Sequence, residues 1–168
     1  MIPCATPAFD GIMKLGRLHH LGIVVDDPDS AARRAEEVFG IPITLLDEST
    51  YTCRVDGVEQ STVQRLGISV EGPPHLELLR TVPGSDVWHR SHGVHHLGFV
   101  VDDLAEASRE LERRGAPLWV GGLRDGSCPS GTAYHHGPFG ITIELLDTTT
   151  RNALAARANA AQPERPKP

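Results

Sequence analysis

The chain has 168 residues, a hydrophobic content of 39% and a charged content of 23%. These values fit one folded domain, or two very small modules sharing a core, and argue against global disorder. A net charge of −6 is the wrong sign for a nucleic-acid binder, and no apolar run is long enough to span a membrane as a helix.

Residues 1–17 form an N-terminal segment. It has no basic start leading into an apolar stretch, so no signal peptide is expected and the expected setting is the cytoplasm. Cys4, Cys53 and Cys128 are odd in number, widely spaced and without a CxxC pair, which reads as free thiols in a reducing compartment. The first predicted strand is LHHLGIVVDD, Leu18 to Asp27. Asp27 and Pro28 then suit the N-cap and first position of a helix, PDSAARRAEEVF, which Gly40 ends. Three strand-like segments follow: IPITLLDE, STVQRLGISV and PHLELLRT.

After VPGSDVWHRSHG, residues 82–93, the pattern begins again. Val94 to Asp103 reads VHHLGFVVDD and repeats Leu18 to Asp27 at eight of ten positions. A helix, LAEASRELERRGA, and three strands, APLWVGGL, GTAYHHG and GITIELLD, complete the second copy. Each half is therefore a βαβββ module, 18–81 and 94–147, joined by the linker 82–93. Neither module reaches the usual size of an independent domain. The tail, residues 148–168, is alanine-rich, with at least a helical turn expected, and its QPERPKP end reads as disordered.

Strand alternation picks out one chemical face. His20, Gly22 and Val24 share a face in the first copy; His96, Gly98 and Val100 share it in the second. On the closing strands the same face takes Glu77 and Glu144. The other faces, with Leu21, Ile23 and Val25 or Leu97, Phe99 and Val101, should pack under the helices. His19 falls on that helix side, at a wet strand end. A glutamate inside an apolar strand is costly unless it is paired or bound to a cation. Two imidazoles and two carboxylates make a reasonable site for one divalent ion, with Co, Ni, Zn, Mn and Fe all compatible. The glycines beside the histidines leave space for a ligand or ion.

Read together, LHHLGIVVDD, HLELL, VHHLGFVVDD and GITIELLD resemble the vicinal oxygen chelate superfamily, which includes glyoxalases, bleomycin-resistance proteins and extradiol dioxygenases. The resemblance covers Leu18 to about Asp147. It implies an α+β fold of two tandem βαβββ modules forming a cupped, eight-stranded mixed sheet with helices outside. It places metal ligands on His20, Glu77, His96 and Glu144. Within the superfamily the HHLGFVVDD strand, the ELERRGA helix end and the closing IELLD are most similar to methylmalonyl-CoA epimerases. That likeness implies a small-molecule substrate, an acyl-CoA among the candidates, a homodimer, and proton transfer through an enolate. Catalytic roles then fall to Glu144 and Glu77. The segment EQSTVQR looks like the one carrying a first catalytic glutamate in epimerases, but here the position holds Gln64, with Glu59 nearby. Glutamate at position 77 is itself more glyoxalase-like. A glyoxalase-like isomerase or lyase, an extradiol dioxygenase using His20, His96 and Glu144, and a metal-free ligand-binding or resistance protein remain as alternatives.

The other pocket candidates are Tyr134 and His136, which alternate with Thr132 on one face beside Glu144. The glycine-rich stretch 121–131 reads as a lid or a plain loop. Arg54, Arg65 and Arg80 are candidates for a CoA phosphate, and His89 and His92 read as surface residues.

Overall fold

A computed structural model describes residues 15–90 and 92–162. The expectations for residues 1–14 and for the end of the tail, including Cys4 and the disordered terminus, lie outside these residues. The first module contains β1 (Leu18–Val25), α1 (Pro28–Phe39), β2 (Ile43–Leu45), β3 (Ser49–Val55), β4 (Val58–Gln64), β5 (Leu66–Ser69) and β6 (His75–Arg80). The second contains β7 (His96–Val101), α2 (Leu104–Arg113), β8 (Leu118–Gly122), β9 (Thr132–His136) and β10 (Thr142–Asp147), and α3 (Thr148–Ala161) follows.

The helix starts follow from their caps. Asp27 Oδ1 accepts from the backbone N–H of Asp29 at 3.0 Å and of Ser30 at 3.2 Å, and Asp103 accepts from Glu106 N–H at 2.9 Å. Gly40 ends α1 in the left-handed region, φ 67°, where a side chain would be strained. α2 sets Leu104 and Leu111 against Leu145 and Ala133 on the outer face of the sheet. Both helices lie outside, as expected.

All ten strands form one mixed sheet in the order β2-β5-β6-β1-β7-β10-β9-β8-β3-β4. Eight strands were expected, and the reason for the difference is local. The connection after α1 is one long hairpin whose two arms both break, into β2 and β3 and into β4 and β5. Its tip, Asp56–Gly57, has positive φ at both residues, 47° and 80°, as a two-residue hairpin turn with the right twist requires. The sequence VDGV carries this signal, so the missing strand β3 was legible there. The outer half of the hairpin leaves its own module: β3 pairs with β8, Cys53 opposite Gly122 and Val55 opposite Val120. The inner half stays at the other end of the sheet, β2 on β5. One hairpin thus ties both ends of the strand order together, and the sheet curls into a cup.

The cup interior has its own core of Val24, Cys53, Leu79, Val87, Trp88, Val120 and Tyr134. Val87 and Trp88 come from the segment between the modules and are 1% and 2% exposed. The segment is therefore a structural plug as well as a connection. The Trp88 ring meets Tyr51 and Tyr134 edge-on, at centroid distances of 5.7 and 6.5 Å. The alanine-rich tail forms fourteen residues of helix. Asp147 caps it through Thr150 N–H at 2.7 Å. Arg157 fastens it to the Asp47 carbonyl at 2.8 Å, and Leu154 packs with Leu46 and Ile68.

Candidate metal centre

Four consecutive strands, β6, β1, β7 and β10, carry the site. β1 and β7 run antiparallel at the centre, with His20 opposite Gly98 and Gly22 opposite His96. β6 flanks β1 in parallel, placing Glu77 beside Gly22. β10 flanks β7 in parallel, placing Glu144 beside Gly98. Two rows therefore cross the sheet: Glu77, Gly22, His96, Thr142 and Glu144, Gly98, His20, His75. Each reads Glu-Gly-His in opposite directions, as the duplication demands.

This arrangement revises the reading of the glycines. A Cβ on Gly22 would stand 1.9 Å from the His96 ring, and one on Gly98 would stand 2.1 Å from the His20 ring. Each glycine makes room for the histidine of the other module. The HLG spelling in both repeats is a reciprocal requirement: every histidine needs the other copy's glycine.

His20 and His96 are fully buried, and Glu77 and Glu144 are 5% and 4% exposed. The two Nε2 atoms are 2.9 Å apart. Glu144 Oε2 lies 2.7 Å from His20 Nε2 and 3.2 Å from His96 Nε2. Glu77 Oε2 lies 3.6 and 3.2 Å from the same atoms. One ligand atom from each residue falls within 4.8 Å of the others. Ligands held about 2.1 Å from a single ion stand about 3.0 to 3.4 Å apart at octahedral or tetrahedral angles, so the donor set has the spacing and chemistry of a divalent-metal site. All four ligands named from the sequence meet here.

Without an ion, the electrostatics are those of protonated imidazoles among carboxylates. Burial alone would lower the His96 pKa, but the charge and hydrogen bond of Glu144, with Glu77, push it up to about 9. His20 is raised against the same burial penalty, by the charge of Glu77 and then by the charge and hydrogen bond of Glu144. Glu144 moves the other way: burial would raise it, and the two imidazoles together hold it below the usual carboxylate range.

Each ligand histidine also touches the histidine before it. His19 Nδ1 is 2.9 Å from His20 Nδ1, and His95 Nδ1 is 2.9 Å from His96 Nδ1. Burial, then the neighbouring ligand's charge, lowers the pKa of both His19 and His95 to about 4. His19 departs from the expected helix-side position. The β1–β7 register slips between Leu18 and His20, and the slip brings the His19 ring to the side of His20 and His75, 5.2 Å from each ring centroid.

A cavity of about 520 Å³ opens above the ligands. Glu77 and Glu144 form part of its floor; Tyr51, Leu79, Trp88, Tyr134 and Leu146 give it apolar and aromatic walls. Thr150, Ala153, Leu154 and Arg157 bring α3 into the wall, and Leu123, Arg124, Ser130 and Gly131 bring in both ends of the 121–131 loop. Tyr134 stands opposite Glu144 in the sheet, with its ring 5.3 Å from that of His96. Burial and then the charge of Glu144 keep its phenol protonated. Gln64 also lines the cavity. It is 5% exposed, and neither atom of its amide has a hydrogen-bond partner among the described residues.

The remaining candidates lie elsewhere. His136 is exposed and stacks on Trp119 at 4.6 Å, outside the cavity wall. Glu59 is exposed and 3.8 Å from Arg54. Arg65 pairs with Asp29, and Arg80 with Glu48. Sequence reasoning missed Tyr51 and the α3 residues as pocket walls. α3 has no apolar stripe to announce a packed face, so only its alanine content hinted at a helix.

A sequence profile of the Glyoxalase/Bleomycin resistance protein/Dioxygenase superfamily matches residues 19–134. No curated protein matches the chain. Several solved structures share the fold. Methylmalonyl-CoA epimerase from Mycobacterium tuberculosis is 24% identical, with 82% of this chain and 91% of that one covered and a TM-score of 0.54. A methylmalonyl-CoA epimerase in complex with methylmalonyl-CoA and NH4+ is 18% identical, with 80% and 95% covered and a TM-score of 0.55. A serine-to-threonine variant of the Streptomyces coelicolor epimerase in complex with 2-nitronate-propionyl-CoA gives the same figures.

Proposed function

We propose a function from one premise: the chain belongs to the Glyoxalase/Bleomycin resistance protein/Dioxygenase superfamily. It is a divalent-metal-dependent enzyme that moves a proton next to a carbonyl group through an enolate, with methylmalonyl-CoA as the first substrate to try. The observation that carries this reading is the buried His20, Glu77, His96, Glu144 set at the floor of a roomy, largely apolar cavity. An ion held by these four residues would supply Lewis-acid stabilisation of negative charge developing on substrate oxygens. The chain's own groups do the rest. Glu144 is the carboxylate placed to take and return the proton, and Tyr134 beside it keeps a neutral phenol available to a substrate oxygen. Trp88, Leu79 and Leu146 exclude water around the reacting carbon. A homodimer and a cytoplasmic setting accompany this reading.

Gln64 favours a second reading. Epimerisation draws on proton transfer at both faces of one carbon, and an amide cannot act as a carboxylate base. With Gln64 in the cavity, one-sided chemistry by Glu144 or Glu77 suits an isomerase or lyase on another small oxygenated substrate. The test is α-proton exchange of methylmalonyl-CoA in heavy water with metal-loaded protein, read by mass spectrometry. Exchange is expected, with a loss of about a hundred- to ten-thousandfold in Glu144→Gln. Exchange without epimerisation in the native chain, and with it in Gln64→Glu, identifies position 64 as the place where the second base is missing. No exchange by the fully metallated protein overturns methylmalonyl-CoA as substrate and leaves the isomerase or lyase reading.

A further inference from the structure

The doubled histidine of the second repeat carries an inference about the first residue of the pair. His95 is 9% exposed, and its two ring nitrogens have defined partners. Nε2 lies 2.8 Å from the carbonyl oxygen of Val87, and Nδ1 lies 2.9 Å from Nδ1 of His96. A carbonyl only accepts, so the His95 proton must sit on Nε2. The Nδ1 of a neutral His95 is then a bare acceptor. The contact between the two Nδ1 atoms needs one proton, and only His96 can supply it. His96 is thereby fixed with a proton on Nδ1, and Nε2, which faces Glu77, Glu144 and His20, is left as the nitrogen that gives up its proton to an ion.

From this we infer that His95 is a positioning residue: anchored on the Val87 carbonyl, it selects the tautomer and ring orientation in which His96 can bind a metal ion. The inference rests on the metal-site reading above. Partners of this kind hold ligand histidines in many metal sites, usually as a carboxylate, carbonyl or water. Here the partner is a second imidazole, which relays the orientation of a backbone carbonyl. That carbonyl belongs to the segment between the modules, whose Val87 and Trp88 are packed into the cup. The connection therefore sets the chemistry of the second module's ligand as well as plugging the fold.

Two measurements test this. In uniformly ¹⁵N-labelled protein, with zinc or without it, a scalar coupling should cross the hydrogen bond between Nδ1 of His96 and Nδ1 of His95. The proton should reside on His96, and His95 should be protonated at Nε2. A proton on Nδ1 of His95, with Nε2 bare, overturns the proposal. In chelator competition with zinc, His95→Leu should weaken affinity by about ten- to a hundredfold. His95→Asn places an amide oxygen where Nδ1 stood and should restore affinity to within a few-fold of the native chain. A folded His95→Leu protein that binds zinc as the native chain does overturns the proposal as well. A native chain that binds no zinc would overturn the metal reading instead, and the coupling alone would then decide the proton order.

Discussion

In the second half of the centre, His95 is buried and its outer nitrogen is anchored to the Val87 carbonyl. In the first half, the equivalent His19 is only partly buried, slips out of register and leans on His75. The ligands themselves hardly differ: His20 and His96 are equally buried, each over the other module's glycine. Duplication has kept the four residues that meet at the candidate centre and let what stands behind them diverge. The row ends show the same divergence, since Thr142 occupies in one row the place that His75 takes in the other. The candidate centre repeats its histidine, glutamate and glycine in both halves, and each half then holds its histidine with whatever its own loops supply.

The strongest way to break this comparison is to attack the shared part. Gly22→Ala and Gly98→Ala each add one methyl group to a strand, but its cost falls on the opposite module. The new Cβ would overlap the His96 ring in the first case and the His20 ring in the second. Rings packed on this floor have nowhere to retreat. Each variant should lose at least about a hundredfold in zinc affinity, in line with losing a properly oriented ligand. The two losses should be similar, because the reciprocal arrangement is symmetric. Chelator competition checks this, with circular dichroism confirming the fold. A large loss in one variant and none in the other would show that the halves differ at the ion itself.

Protons offer a subtler probe. In the metal-free protein the His96 pKa is raised to about 9, with His20 raised as well. An ion must displace the protons on Nε2, so zinc affinity should climb about tenfold per pH unit for each proton released and level off above about pH 9. Stability of the metal-free protein should run the other way. A folded-state pKa above the unfolded value of 6.5 means that the bound proton stabilises the fold fully below pH 6.5. That contribution is lost as pH rises through about 9. Thermal melts of metal-free protein should therefore fall across this window, and zinc should reverse the trend. A flat affinity profile would show that the imidazoles are already neutral.

The sequence made the clustered residues legible for a specific reason. Alternation assigns faces within a strand, and the repeat points to the same face twice, so His20, Glu77, His96 and Glu144 could be named before any contact was known. The role of Gly22 and Gly98 was not legible, because it depends on β1 and β7 pairing antiparallel across the two modules. Local pattern carries no record of that pairing. The eight-strand count left out β3, although VDGV carries a tight-turn signal at its end. His136 follows the right alternation and still misses the cavity, since Trp119 from the neighbouring strand offers it a stacking partner at the strand end. Tyr134, two residues earlier on the same face, sits in the cup only because Glu144 is its register partner.

The smallest expected effect sharpens the comparison most. His19→Leu removes the partner of His20 as His95→Leu removes the partner of His96. Yet His19 has only the contact at Nδ1 in common with His95: no backbone carbonyl is paired with its Nε2 among the described hydrogen bonds. A partner whose own proton is unanchored can present either nitrogen, so it biases the His20 tautomer weakly. The His20 ring is also held by the Gly98 floor and by Glu144 at 2.7 Å. His19→Leu should therefore weaken zinc binding by only a few-fold, below the roughly ten- to a hundredfold expected for an anchored partner. Matched chelator titrations of the two leucine variants decide the matter. Equal losses would mean that the Val87 carbonyl adds nothing and that proximity of a second imidazole is sufficient. Unequal losses in the stated order would assign the difference to the anchor, which only the second half of the centre possesses.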